Sequence, residues 1–314
     1  MVRVTEPVRR LLGFYDGERP GVKANLARML LHGRPGGTGK LVILPVDQGF
    51  EHGPARSFAP NPAAYDPHYV FELAIDAGLS ALAAPLGLLA SGADRFAGAI
   101  PLILKANNAN SLAGEKDEAI TGTVRDALEL GCSAIGYTIY PGSDRQYEMF
   151  EEVRAGAAEA KASGLAVVVW AYPRGGPLSK EAETALDVVA YGAHIAALLG
   201  AHIIKVKPPS EHIEQVEARA VYKAMDIDFS QLRNRVSHVV QAAFNGRRIV
   251  VFSGGPAKDL KSLCEEARAI REGGGHGSIV GRNSFQRPRE EALEMLDRII
   301  RIHLSEDAAP EGGR

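Results

Sequence analysis

Short, almost unbroken apolar runs recur along the chain, separated by longer stretches in which apolar positions return every third or fourth residue. The runs are 41–46, 79–84, 101–105, 133–139, 166–172, 202–207, 248–252 and 278–280. Their brevity and weak alternation suit parallel strands covered on both faces. Between them, 123–130, 146–163, 180–199 and 260–272 carry helical spacing. Eight such units in alternation predict an α/β fold, a closed (β/α)8 TIM barrel, rather than an open doubly wound sheet.

Residues 1–40 precede the first run and read as a helical extension, with helices around 6–15 and 22–31. The barrel is expected over 41–304. A polar tail containing glycine and proline, 305–314, is expected to fray. The segment 223–243 is longer than a plain crossover needs and predicts an extra helix or loop near the mouth or at an interface.

Composition narrows the function classes. A chain of 314 residues, 46% hydrophobic and 24% charged, suits one domain with a large core. A net charge of −2 argues against a nucleic-acid surface, whose affinity rests on clustered cations. No apolar stretch is long enough to span a membrane. The first residues carry Arg3, Glu6, Arg9 and Arg10 without the apolar centre of a secretory signal. Cys132 and Cys264 lack metal-ligand spacing and read as buried thiols. A cytoplasmic protein is therefore expected. The run from Gly33 to Lys40 imitates a nucleotide phosphate loop, but its spacing is one residue too long and a strand, not a helix, follows.

Chemistry concentrates where the strands end. Polar or glycine-rich turns close several of them: Asp47-Gln48-Gly49, Asn107-Asn108, Pro141-Gly142-Ser143, Pro173-Arg174-Gly175-Gly176, Ser253-Gly254-Gly255 and Gly281-Arg282-Asn283. Barrel active sites are built from such ends. Lys205 and Lys207 lie in the sixth run, two residues apart and so on one face, with Ile204 and Val206 on the other. An ordinary lysine is neutral at about the 10⁻³ level at pH 7, and desolvation beside a like charge raises that fraction by about three orders of magnitude, ~4 kcal/mol of bias. A neutral amine can attack a ketone and form an iminium, an electron sink for carbon–carbon cleavage. Pairing with carboxylates, or anion binding without covalent chemistry, is the competing reading.

The neighbours of these lysines bear on that choice. Trp170 and Tyr172 share a face of the fifth run, and a phenol there can carry a proton to or from the carbon beside an iminium. Arg174, just beyond, offers a planar fork for phosphate oxygens. Asp47 ends the first run, where a buried carboxylate needs a cation or a substrate hydroxyl. His52 follows in the same turn and could bond a sugar hydroxyl or phosphate. Ser253, Gly254 and Gly255 after the seventh run, with Gly281 and Arg282 after the eighth, stand where barrels build phosphate cradles. The histidines and carboxylates show no zinc-like spacing, so no metal or other cofactor is expected.

Together these residues make the chain, from about 41 to 301, resemble the archaeal-type class I fructose-bisphosphate aldolases, the DhnA-type family. The resemblance rests on Asp47-Gln48-Gly49-Phe50-Glu51-His52-Gly53-Pro54, the segment 135–143, Trp170-Ala171-Tyr172-Pro173-Arg174, the Lys205 strand and Ser253-Gly254-Gly255. It implies a Schiff-base lysine at Lys205, a proton-transferring tyrosine at Tyr172 with Trp170 shaping the site, and an acidic partner at Asp47. It also implies distal phosphate and hydroxyl contacts at Arg174 and His52. Ser253, Gly254, Gly255, Gly281 and Arg282 would cradle the phosphate of dihydroxyacetone phosphate. Large homo-oligomers such as decamers are implied too. Two departures stand out: Gln48 replaces a common histidine, and Lys207-Pro208-Pro209 replaces a threonine-containing continuation, which keeps Lys207 in view. The same scaffold hosts aminoheptulosonate synthases and enzymes of autoinducer-derived phosphates, and a non-catalytic sugar-phosphate binder is the remaining alternative.

Overall fold

The computed structural model describes residues 4–254 and 258–306. Eight parallel strands close a barrel: β1 Leu41–Pro45, β2 Ala81–Pro85, β3 Leu102–Lys105, β4 Ala134–Ile139, β5 Ala166–Ala171, β6 Ile203–Val206, β7 Ile249–Ser253 and β8 Gly277–Ile279. Each strand pairs with its sequence neighbours, and β8 closes onto β1 with Leu41 opposite Gly277. The (β/α)8 expectation holds, with strand ends moved by one or two residues.

Two apolar clusters explain why the runs lack alternation. Val42, Leu44, Val167, Val169, Ile204 and Val206 pack outward with the helix ring. Their neighbours Leu41, Ile43, Ala166, Val168, Ile203 and Val251 fill the barrel interior. Both faces are therefore covered.

The N-terminal helices, α1 Glu6–Gly13 and α2 Pro20–Leu30, join the interior cluster rather than the outer one. Each has a proline in its first turn, where a missing N–H costs nothing. In α2, Val22, Leu26, Met29 and Leu30 fall on one helical stripe and are buried beneath the barrel. Tyr15 anchors the arrangement, its hydroxyl donating to the His202 carbonyl at 2.6 Å and accepting from the Ile249 N–H at 3.1 Å. With the lower end plugged, chemistry is left to the upper one. Leu26→Ala is expected to cost about 2–5 kcal/mol by emptying this plug; denaturant unfolding measures it, and kcat should hold in the folded protein.

Other segments depart from the sequence reading. The stretch 180–199 is not one helix: a 3-10 turn, Ala182–Thr184, precedes the helix Leu186–Leu198. The break occurs because Ala185 is extended and the Leu186 N–H donates to the His212 carbonyl. It aims Glu183 at the barrel mouth. The long segment after β6 contains two helices, Val216–Ala224 and Leu232–Ala242. After β1 the chain makes two short helices, Gln48–His52 and Pro54–Phe58, split where Gly53 adopts φ +82°. Of the tail, only residues up to 306 are described, so 307–314 and the first three residues lie outside the described residues. None of the described helices is long and apolar enough to cross a membrane.

Candidate active site

The upper end of β5 and β6 sets the centre of the site. Trp170 and Lys205 are partners in register across these strands. Both side chains are buried, Trp170 at 1% and Lys205 at 4% exposure. The Lys205 ammonium lies 5.4 Å from the Trp170 ring centre and 5.4 Å from that of Tyr172. The indole fits because β4 carries Gly136 beneath it: a Cβ there would fall 2.1 Å from Trp170 Cζ3. Burial pushes the Tyr172 phenol up, while the charge of Lys205 and a hydrogen bond with it pull the other way.

Three lysines reach this region, and their partners separate them. Lys105, at the end of β3 and 2% exposed, is tied to the Asn107 side chain at 3.1 Å and to Glu118 at 3.4 Å. Tyr140 donates to the other oxygen of Glu118. Lys207 lies past the end of β6, with 27% of its side chain exposed and its ammonium 3.1 Å from Glu183. Burial lowers its pKa, Glu183 opposes that, and Arg174 adds to it. Lys205 has no carboxylate within ion-pair distance among the described residues, and its ammonium lies against the rings of Trp170 and Tyr172.

Two acidic groups share the end of β1. Asp47 is 4% exposed, and its Oδ1 has no hydrogen-bond partner. Because residues 48–52 are helical, Glu51 falls one turn further on, on the Asp47 side. Burial pushes the Glu51 carboxyl up to about 7, with the negative charges of Asp47 and Glu118 raising it and Lys105 and Lys205 opposing. Its Oε2 lies 3.6 Å from His52 Nε2. The His52 imidazole is itself lowered, by burial and then by the charges of Arg282 and Arg56.

A cavity is lined by Glu51, His52, Tyr140 and Arg174, with Lys116 and other residues of the loop 109–116. The Arg174 guanidinium stacks over Tyr140 at 4.5 Å and Tyr172 at 5.6 Å, and its Nε is buried without a partner. At the adjoining ends of β7 and β8, Ile279 pairs with Ser253, and Asn283 Nδ2 donates to the Gly254 carbonyl at 3.4 Å. A Cβ on Gly281 would sit 2.7 Å from the Pro45 carbonyl and 2.9 Å from Gln48 Nε2, so this turn presses against the Asp47 segment. Arg282 follows it. Gly255 lies outside the described residues. No group of three or more metal-binding side chains occurs among the described residues.

The structure thus brings Lys205, Trp170, Tyr172, Asp47, His52 and Arg174 to one mouth, with Ser253, Gly254, Gly281 and Arg282 along the β7–β8 rim. Sequence reasoning missed Glu51, Lys105, Glu118 and Tyr140. Lys105 carried the same signal as Lys205, a lysine ending an apolar strand.

A barrel closed below and carrying a buried lysine, a phenol and carboxylates above has the form of a lysine-dependent aldolase. The family model for DeoC/LacD family aldolases matches residues 41–287. The class 1 fructose-bisphosphate aldolase of Thermoproteus tenax is 38% identical over 251 residues, covering 79% of this chain and 84% of the relative. That of Halobacterium salinarum is 34% identical, covering 86% and 94%. An archaeal fructose-1,6-bisphosphate aldolase, solved with its catalytic lysine bound to the carbinolamine intermediate of its substrate, superposes with a TM-score of 0.72 at 34% identity, covering 88% of this chain and 98% of that one. The chain belongs to the DeoC/LacD aldolase family and, within it, to the class I, Schiff-base fructose-bisphosphate aldolases of the archaeal and bacterial DhnA type.

Proposed function

We propose that Lys205 is the Schiff-base lysine with which this class I aldolase reversibly cleaves fructose 1,6-bisphosphate to dihydroxyacetone phosphate and glyceraldehyde 3-phosphate. The observation that carries the assignment is the Lys205 amine, buried against Trp170 and Tyr172 without a carboxylate partner among the described residues. Its neutral form adds to the C2 ketone, and loss of water leaves an iminium. The C4 hydroxyl then gives up its proton, and the C3–C4 pair flows into the iminium. Glyceraldehyde 3-phosphate leaves and an enamine remains. Tyr172, a neutral phenol beside Lys205, protonates the enamine at C3, and water releases dihydroxyacetone phosphate. Asp47 faces this pair as the compensating negative charge.

Phosphates bind at two places in this reading. Ser253, Gly254, Gly255, Gly281 and Arg282 receive the phosphate nearer the ketone, and Arg174 with His52 the distal one. The catalytic unit is the barrel, 41–304, with 1–40 as its structural extension. Exposed Tyr191, Leu198, Val216, Val221 and Met225 support assembly with further copies of this chain, up to the decamer implied above. Cys132 and Cys264, both buried, support a cytoplasmic location.

Borohydride reduction with dihydroxyacetone phosphate should add the reduced triose phosphate to the peptide carrying Lys205, read by mass spectrometry. EDTA should leave cleavage unchanged. An adduct on Lys207, or none together with EDTA-sensitive turnover, overturns the reading.

A further inference from the structure

An arginine that is to take a phosphate must be held in place without having its donors used. A carboxylate holds a guanidinium by occupying the same fork that the phosphate needs. Arg174 is held differently. Its guanidinium stacks 4.5 Å from the Tyr140 ring centre and 5.6 Å from that of Tyr172. No carboxylate lies within ion-pair distance of it among the described residues, and its Nε is buried without a partner. Stacking fixes the plane of the guanidinium and leaves its N–H edge free, in the wall of the cavity it shares with His52 and Lys116.

Of the two rings, Tyr172 belongs to the reaction centre beside Lys205. Tyr140 stands one residue past β4, is buried, and donates its hydroxyl to Glu118. Glu118, also buried, takes its countercharge from Lys105 at 3.4 Å, and Asn107 Oδ1 accepts from the same ammonium at 3.1 Å. Asn107 is bonded in turn to β4, donating to the Thr138 carbonyl at 2.9 Å and accepting from the Thr138 N–H at 2.6 Å. The ring is therefore anchored to two barrel strands. Burial and the charge of Glu118 push the Tyr140 phenol up, so it stays a donor. The turn carrying Arg174 is drawn onto this ring by its own backbone. The Arg174 N–H donates to the Pro141 carbonyl at 3.1 Å, and a Cβ on Gly176 would fall 2.3 Å from the Gly142 carbonyl oxygen.

We propose that Tyr140 is a positioning residue for the distal phosphate: anchored through Glu118 and Lys105, its ring presents the Arg174 fork and so sets the preference for a ketose bisphosphate over a ketose 1-phosphate. The assignment rests on the reading of Arg174 as a distal-phosphate ligand and deepens it. Because Tyr140 acts through Arg174, its loss falls on the binding of one phosphate and spares the Schiff-base chemistry.

Fructose 1,6-bisphosphate and fructose 1-phosphate, which lacks only the distal phosphate, separate these contributions. Arg174→Met should raise KM for the bisphosphate by about 10–100-fold, as for the loss of charge-assisted hydrogen bonds, with kcat and the monophosphate little changed. Tyr140→Leu should raise it by about tenfold, and Tyr140→Phe, which keeps the ring without its anchor, by about threefold. Tyr140→Leu placed on top of Arg174→Met should add less than about twofold. Turnover of the monophosphate reports folding in each variant, and should Tyr140→Leu not fold, Tyr140→Phe closes the same cycle. Additive losses, or equal losses on both substrates, overturn the role of Tyr140. Unchanged discrimination in Arg174→Met would instead remove the distal-phosphate reading of Arg174, and the platform with it.

Discussion

Lys205→Ala is expected to lower the cleavage rate by on the order of 10³-fold or more and to abolish the borohydride adduct, while Lys207→Ala costs less than about tenfold. The two lysines are separated by what surrounds them. Lys207 is held by Glu183, which also pairs with Lys180 at 2.9 Å, and its side chain reaches solvent. Its loss leaves Glu183 with a partner. Lys205 is enclosed by two aromatic rings, so removing it deletes the only amine of the β6 strand itself. Lys205→Met separates chemistry from folding. It keeps the packing while removing a buried charge, so it should unfold no more easily than wild type. Steady-state rates, intact mass after reduction and a thermal melt decide the matter. A surviving adduct in Lys205→Met would sink the assignment.

The parts of this site that could be read from the sequence are those set by strand period. Period two placed Ile204 and Val206 outward, Lys205 inward, and Trp170 with Tyr172 on one face. Those relations follow from residues adjacent in sequence and need no tertiary knowledge. Lys105 shows the limit of that reasoning, because it satisfies the same rule as Lys205 at the end of an apolar run. What removes it from the role of nucleophile is Glu118, thirteen residues on and returned by a loop and a two-residue hairpin, Asn107–Asn108 with Ala119–Ile120. No local pattern encodes that return. Glu51 was hidden for another reason. Its place beside Asp47 depends on a helix of five residues between Asp47 and Gly53, too short for apolar periodicity to announce. The split of 180–199 likewise depends on a carbonyl at His212, donated to across the mouth. The face a strand residue takes was legible, and the partner a loop brings back to it was not.

Tyr172→Phe is expected to lower cleavage by about 10²–10⁴-fold, the range for losing a positioned acid or base. The phenol is pushed up by burial, so over the working range it is a neutral donor. Its proton is the one that moves at C3, so exchange of the C3 protons of dihydroxyacetone phosphate should fall in step with cleavage. Borohydride trapping should persist, because the Lys205 amine remains. The ring is kept, and with it the stacking surface under Arg174, so KM should move little while kcat falls. Exchange kept in Tyr172→Phe would place C3 protonation with another group, and Asp47, buried beside the pair with an unpartnered oxygen, would be the next to test.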